Sequence, residues 1–293
     1  MLDTFLRTHH EICLVRGSKM FTPDILRRVE DFLQNKPVYL PEAPELSKTR
    51  HVQTHNAFFQ RVLDSTYIAF RKQLSEVEKC LFEAIILHRM TFHFMHPQFS
   101  DNERRSHSVL VAMCKQKLVE LFLDLDPKDI PSVLKIGALP GIRSNIWNMS
   151  CDYAHACAQT IEIISELDEC WMYLPSVYES YMLGIDLFVF SEKNEAVTCL
   201  QVKQANPTDK TFQIERVRHQ ENVSTQDSAD DWTRRLQEGM ARIHEQYPGY
   251  VFHPCQMTIP YTFDFRIDDE VKQVRNFFLF KPQRAANTDA QAA

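Results

Sequence analysis

The sequence predicts an α+β or α/β fold, with a helical first half and a small α/β core in the second. Two observations predict it. Through much of residues 22–125, apolar side chains recur at steps of three and four, the period of an amphipathic helix. Residues 184–204 instead hold two short apolar runs joined by a polar linker, the pattern of a β-hairpin.

The elements follow in order. Thr22, Pro23 and Asp24 form a start signal, a capping residue followed by proline at the first helical position, for a helix running to about residue 35. Residues 36–48 are rich in proline and without periodicity, and read as a connector. From about 49 to 74, Phe58, Phe59, Val62, Leu63, Tyr67 and Phe70 mark an amphipathic helix. Ser75 and Glu78 have capping-box spacing and open another helix, ending near His96 and Pro97. Asp101 can cap a helix through Leu125. Three prolines and two glycines in residues 126–145 mark a second connector with room for one short helix, and the domain boundary is placed there.

Past that boundary a helix is expected over 150–170, with Ala154, Cys157, Ile161 and Ile164 among its apolar positions. Strands follow over 184–190 and 196–204, linked by the polar residues 191–195. A helix over 230–247 and a strand over 250–261 complete the core. The expected division is a helical region at 1–145, an α/β domain at 146–283 and a disordered tail at 284–293.

Composition narrows the function classes. The 293 residues are 44% apolar and 25% charged, as in ordinary soluble globular proteins. No run of about 18 uncharged apolar residues is present, so no membrane association is expected. The N-terminus lacks a continuous apolar stretch behind a basic start, so the expected location is cytoplasmic. Eight cysteines without a Cys-x-x-Cys pair suit neither a disulfide framework nor structural zinc. Only six glycines occur, and no Walker, Rossmann or Gly-x-Ser-x-Gly pattern is found. Residues 1–150 carry 20 Lys and Arg against 17 Asp and Glu, whereas the remainder carries 13 against 22. The acidic second half disfavours a phosphate backbone unless cations or the first half offset it.

Chemistry concentrates at the hairpin. Residues two apart on a strand share a face, so Gln201 and Lys203 project together. Antiparallel pairing brings Asp186, near the start of the first strand, opposite the end of the second. One carboxylate, one amide and one ammonium then converge, a set suited to metal-assisted phosphodiester hydrolysis. His51 and His55, one helical turn apart, read as a solvated pair. Arg104, Arg105, Lys115 and Lys117 read as a charged helical face that could also contact phosphate.

The segments Gly184-Ile185-Asp186-Leu187 and Leu200-Gln201-Val202-Lys203-Gln204 resemble the PD-(D/E)XK, or restriction-endonuclease-like, nuclease superfamily in its Q-x-K variant. The resemblance covers roughly residues 150–262. It implies a central mixed sheet and a Mg²⁺- or Mn²⁺-dependent nuclease acting on nucleic acid, DNA above all, in defence or repair. It makes Asp186 and Gln201 metal ligands and Lys203 the catalytic lysine. A further acidic ligand is expected from Glu162, Glu166 or Glu169 on the preceding helix or from Glu179, with Glu179 favoured for proximity. Two other readings stand beside it. One is an inactive module of the same fold, its helical half binding a protein partner. The other is an all-helical adaptor in which the strands are misread.

Overall fold

The computed structural model describes residues 10–12, 19–35, 38–67, 74–94, 100–191, 196–205, 208, 212–217, 228–248, 250–260 and 267–279. In the first half these form helices α1 (Ile25–Asn35), α2 (Pro44–Lys48), α3 (Val52–Tyr67), α4 (Glu76–Met90), α5 (Asp101–Asp124) and α6 (Ile130–Ile136). The second half holds α7 (Ser144–Ser165), α8 (Val177–Leu183), α9 (Ser228–Gln246) and α10 (Ile267–Leu279). Six strands, β1 (His10–Glu11), β2 (Cys170–Leu174), β3 (Leu187–Ser191), β4 (Ala196–Gln204), β5 (Gln213–Arg216) and β6 (Phe252–Ile259), form one sheet in the order β1-β2-β3-β4-β6-β5. The fold is thus mixed helix and sheet, and the sheet excludes the all-helical arrangement.

Local sequence sets several boundaries. Ser75 and Glu78 close the expected capping box, the Glu78 carboxylate accepting from the Ser75 backbone N–H at 2.9 Å. At α5 the cap is Ser100 rather than Asp101. Its side chain accepts from the Glu103 N–H, and Glu103 bonds back to the Ser100 N–H at 2.8 Å. At α1 the helix starts later than proline placement implies. Thr22 is occupied elsewhere, donating to Glu78 at 2.6 Å and accepting from Arg28 at 3.1 Å. The proline-rich connector contains α2, with Pro44 in its first turn and Leu46 buried. Phe70, His96, Pro97 and the 284–293 tail lie outside the described residues.

The 150–170 helix is displaced. As α7 it begins at Ser144 and ends at Ser165, because Cys170 already belongs to β2. The 145/146 division therefore falls in the first turn of α7. One apolar cluster runs from Phe21 and Leu63 through Leu110 and Ile161 to Leu200 and Phe278, so both halves share a core. Nor is the first half wholly helical, since β1 pairs antiparallel with β2.

The sheet's two faces are covered separately. Leu187 and Leu200 are register partners on the face packed by α7 and α10, whereas Phe188 and Cys199 face Leu236, Met240 and Ile243 of α9. Burying each such side chain contributes roughly 1.5–3 kcal/mol. Strands β2, β3 and β4 form an antiparallel meander. β6 pairs parallel to β4, Gln201 opposite Gln256. A parallel neighbour needs a crossover, which α9 supplies. The α8–α9 approach is close enough that a Cβ at Gly239 would lie 2.7 Å from the Leu183 carbonyl oxygen.

Candidate active site

The hairpin register sets the site. Leu187 pairs with Leu200, and the Asp186 N–H donates to the Leu200 carbonyl at 2.9 Å, so Asp186 stands beside Gln201. Gly184, at φ 67°, ends α8 in the left-handed region and turns the chain into β3, a conformation that favours glycine. Asp186, Gln201 and Lys203 all line one cleft of about 750 Å³ at the C-terminal end of β4. The convergence expected from the sequence is therefore present. Val202 and Gln204 line the cleft too, so both faces of the strand end contribute.

Asp186 is partly exposed, but its carboxylate is held by the protein. Oδ1 accepts from the Tyr153 hydroxyl at 2.5 Å and Oδ2 from the Val202 N–H at 2.8 Å. Burial is the largest influence and pushes its pKa up to about 6, against the lowering effects of these two bonds and of Lys115. The Tyr153 hydroxyl is pushed upward in turn, by burial first and then by Asp186. Above Tyr153 sits the Lys115 ammonium, 4.3 Å from the ring centroid.

The proposed acidic ligands stand elsewhere. Glu179 is buried, and its carboxylate accepts from the Ser176 N–H and hydroxyl, each at 2.8 Å, as the capping box of α8. Proximity in sequence favoured Glu179, but Ser176 three residues earlier gives it this local role. Glu162, Glu166 and Glu169 lie at or beyond the far end of α7. The α7 residues that reach the cleft are Ile146, Met149, Ser150 and Tyr153. Glu162 is nine residues past Tyr153, roughly 13 Å along the axis at about 1.5 Å per residue. None of these four glutamates lines the cleft.

The donors that do line it fit a hard cation in type, being a carboxylate oxygen and an amide oxygen. They are too few for a closed cage. Among the described residues, no group of three or more His, Cys, Asp and Glu side chains is placed to hold a metal ion. Asp186 and Gln201 would hold Mg²⁺ or Mn²⁺ only with water and substrate phosphate oxygens completing the shell, a common arrangement for Mg²⁺.

Two contributors were obscured in the sequence. Tyr153 was one aromatic among many, and only the packing of α7 on the hairpin brings it to Asp186. Lys115 was one of four cations on a helix, and the structure separates them. Arg104 pairs with Asp101 at 3.1 Å, Arg105 donates to the Arg50 carbonyl at 3.1 Å, and Lys117 pairs with Glu120 at 2.7 Å and Glu83 at 3.2 Å. Lys115 alone of the four lines the cleft. The histidine pair divides likewise. His51 is exposed, whereas His55 is buried, with Nδ1 2.8 Å from the Ser106 hydroxyl and Nε2 3.2 Å from the Thr49 carbonyl. The expectation of a solvated pair fails for His55, because α3 packs it against α5.

Compared with protein-family models, with curated proteins and with solved structures, the chain matches none. What the cleft can do is therefore argued from its side chains. Among the described residues no helix is long and apolar enough to cross a membrane.

Proposed function

We propose that this protein hydrolyses phosphodiester bonds in nucleic acid, DNA above all, with Mg²⁺ or Mn²⁺ arriving together with substrate. The observation that carries the reading is the convergence of Asp186, Gln201 and Lys203 in one cleft at the end of the β3–β4 hairpin. The order α7, β2, α8, β3, β4, β5, α9, β6, with a helix before the hairpin, a helix and strand after it, and β6 parallel to β4, supports it through the superfamily resemblance.

Each residue has a definable task. Asp186, held in place by Tyr153 and Val202, offers the one carboxylate among the described lining residues and is mostly ionised above about pH 6. Gln201 offers an amide oxygen, which binds without adding charge. Lys203 orients the attacking water and offsets charge developing on the phosphate. A bound divalent cation supplies acidification of that water and further charge neutralisation.

The test is a cleavage assay of wild type and Lys203→Ala on single- and double-stranded DNA and RNA, with Mg²⁺, Mn²⁺ or EDTA. Metal-dependent cutting is expected, reduced at least about 100-fold in the variant. A second reading, a module that binds without cutting, is favoured by the engagement of both Asp186 oxygens and the lack of a second carboxylate among the described residues that line the cleft. A folded wild type that cuts nothing with either metal would establish that reading instead.

A further inference from the structure

The cleft has a wall that the proposed chemistry does not require. Along α5, His107, Val111 and Lys115 fall at successive four-residue steps and face the cleft as one stripe. Ile146 and Met149 of α7 and Tyr181 of α8 complete an apolar lining. Met149 is 68% exposed, a large apolar side chain left open to solvent. The His107 Nε2 is buried without a hydrogen-bonding partner among the described residues.

Charge complements shape. Lys115 on α5 and Lys203 on β4 place one ammonium on each of two walls, with Asp186 as the carboxylate in the lining. The first half of the chain, which carries the net positive charge, thus provides the α5 wall and its cation to a site whose Asp186, Gln201 and Lys203 come from the acidic half. This is the offset that an anionic partner needs.

The volume then limits that partner. About 750 Å³ is the size of a pocket that encloses one small ligand, within the usual range of roughly 300–1,000 Å³. An unpaired nucleotide can enter with its base against apolar and aromatic side chains and its phosphate between two lysines, as single-strand binders do. In a duplex the bases are stacked and paired, so only a flipped or frayed nucleotide could place its base in the pocket, at an unpairing cost of a few kcal/mol.

Resting on the nuclease reading for the site's chemistry, we propose that the substrate class is single-stranded nucleic acid, gripped by the α5 wall through Lys115. The helical half is then a part of the active cleft.

The experiment measures fluorescence anisotropy of a labelled single-stranded DNA and of a hairpin duplex of matched length, in EDTA so that nothing is cut. The proteins are wild type, Lys115→Ala, Lys115→Arg and, as an outward-facing control on α5, Arg104→Ala, each checked for folding by circular dichroism. The single strand is expected to bind at least tenfold tighter than the duplex. Lys115→Ala should weaken it about tenfold and lower the salt slope by about 0.7, the loss of one phosphate contact on a single strand. Lys115→Arg should restore binding, and Arg104→Ala should leave it unchanged. Equal or tighter binding of the duplex, no binding of either probe, or a folded Lys115→Ala that binds as wild type would overturn the proposal. Duplex-selective binding together with metal-dependent cutting would overturn it while leaving the nuclease reading intact. Lys115-dependent binding of single strands without cutting would do the reverse.

Discussion

Replacing Asp186 by asparagine should stabilise this protein at neutral pH. The Asp186 carboxyl is raised from 3.8 to about 6, burial being the main cause. Below about pH 3.8 it is protonated whether the chain is folded or unfolded, and costs nothing. As pH climbs from there to 6, the unfolded chain releases the proton and the folded one retains it, so this group's contribution falls. Above 6 the ionised form is imposed on the fold, at a cost approaching 3 kcal/mol, since one pKa unit is about 1.4 kcal/mol. Partial exposure screens the charge, so about 2 kcal/mol is the expected magnitude. Asparagine removes the ionisation and keeps both contacts, with the direction of the Tyr153 bond reversed. Its oxygen can accept from the Val202 N–H and its amide can donate to the Tyr153 oxygen.

Urea unfolding of both proteins between pH 4.5 and 8, followed by circular dichroism and by tryptophan fluorescence, gives the comparison, provided the two probes agree. Differences are needed rather than wild-type values alone. His88, His107, His155 and His253 are each held below the ordinary imidazole range, burial first, and add stability as pH rises. They cancel between the two proteins. The gain for Asp186→Asn should be small near pH 4.5 and largest above pH 7. A variant no more stable than wild type at pH 8, or a difference independent of pH, would refute the reasoning. A stabilised variant that no longer cuts DNA would show a site maintained at the expense of stability.

Three further outcomes are expected. Glu78 is 1% exposed and accepts from Thr22, Arg28 at 2.9 Å and the Ser75 N–H, so Glu78→Ala should lower stability by about 3 kcal/mol, read from thermal or urea unfolding. Gly239→Ala would push α9 against Leu183, where the new Cβ meets backbone atoms at 2.7 and 2.8 Å, and should cost about 2 kcal/mol by the same measurement. His88, 1% exposed and brought down to about 4, accepts from the Arg143 N–H through Nε2 at 3.1 Å. Its neutral form therefore contributes stability that is present above pH 6.5 and lost as pH falls towards 4. His88→Gln should flatten that acid-side loss in urea titrations.

The sequence by itself determined what depends on near neighbours along the chain. The capping box at Ser75 and Glu78, the β4 span from Ala196 to Gln204, and the placing of Asp186 against the end of that strand all follow from spacings of a few residues. A hairpin is the shortest route to a sheet contact, so its register is written locally. Tertiary structure decided what depends on distant partners. Cys170 joins β2 rather than α7, and β5 pairs with β6, through contacts with other strands. Glu179 closes a cap instead of facing the cleft, although both roles suit a buried carboxylate. Tyr153 reaches Asp186 from 33 positions earlier in the chain, and Lys115 is distinguished from Lys117 only by which neighbours the packing of α5 supplies. Helical period gives the face on which a side chain lies, but only the assembled core fixes what stands opposite that face.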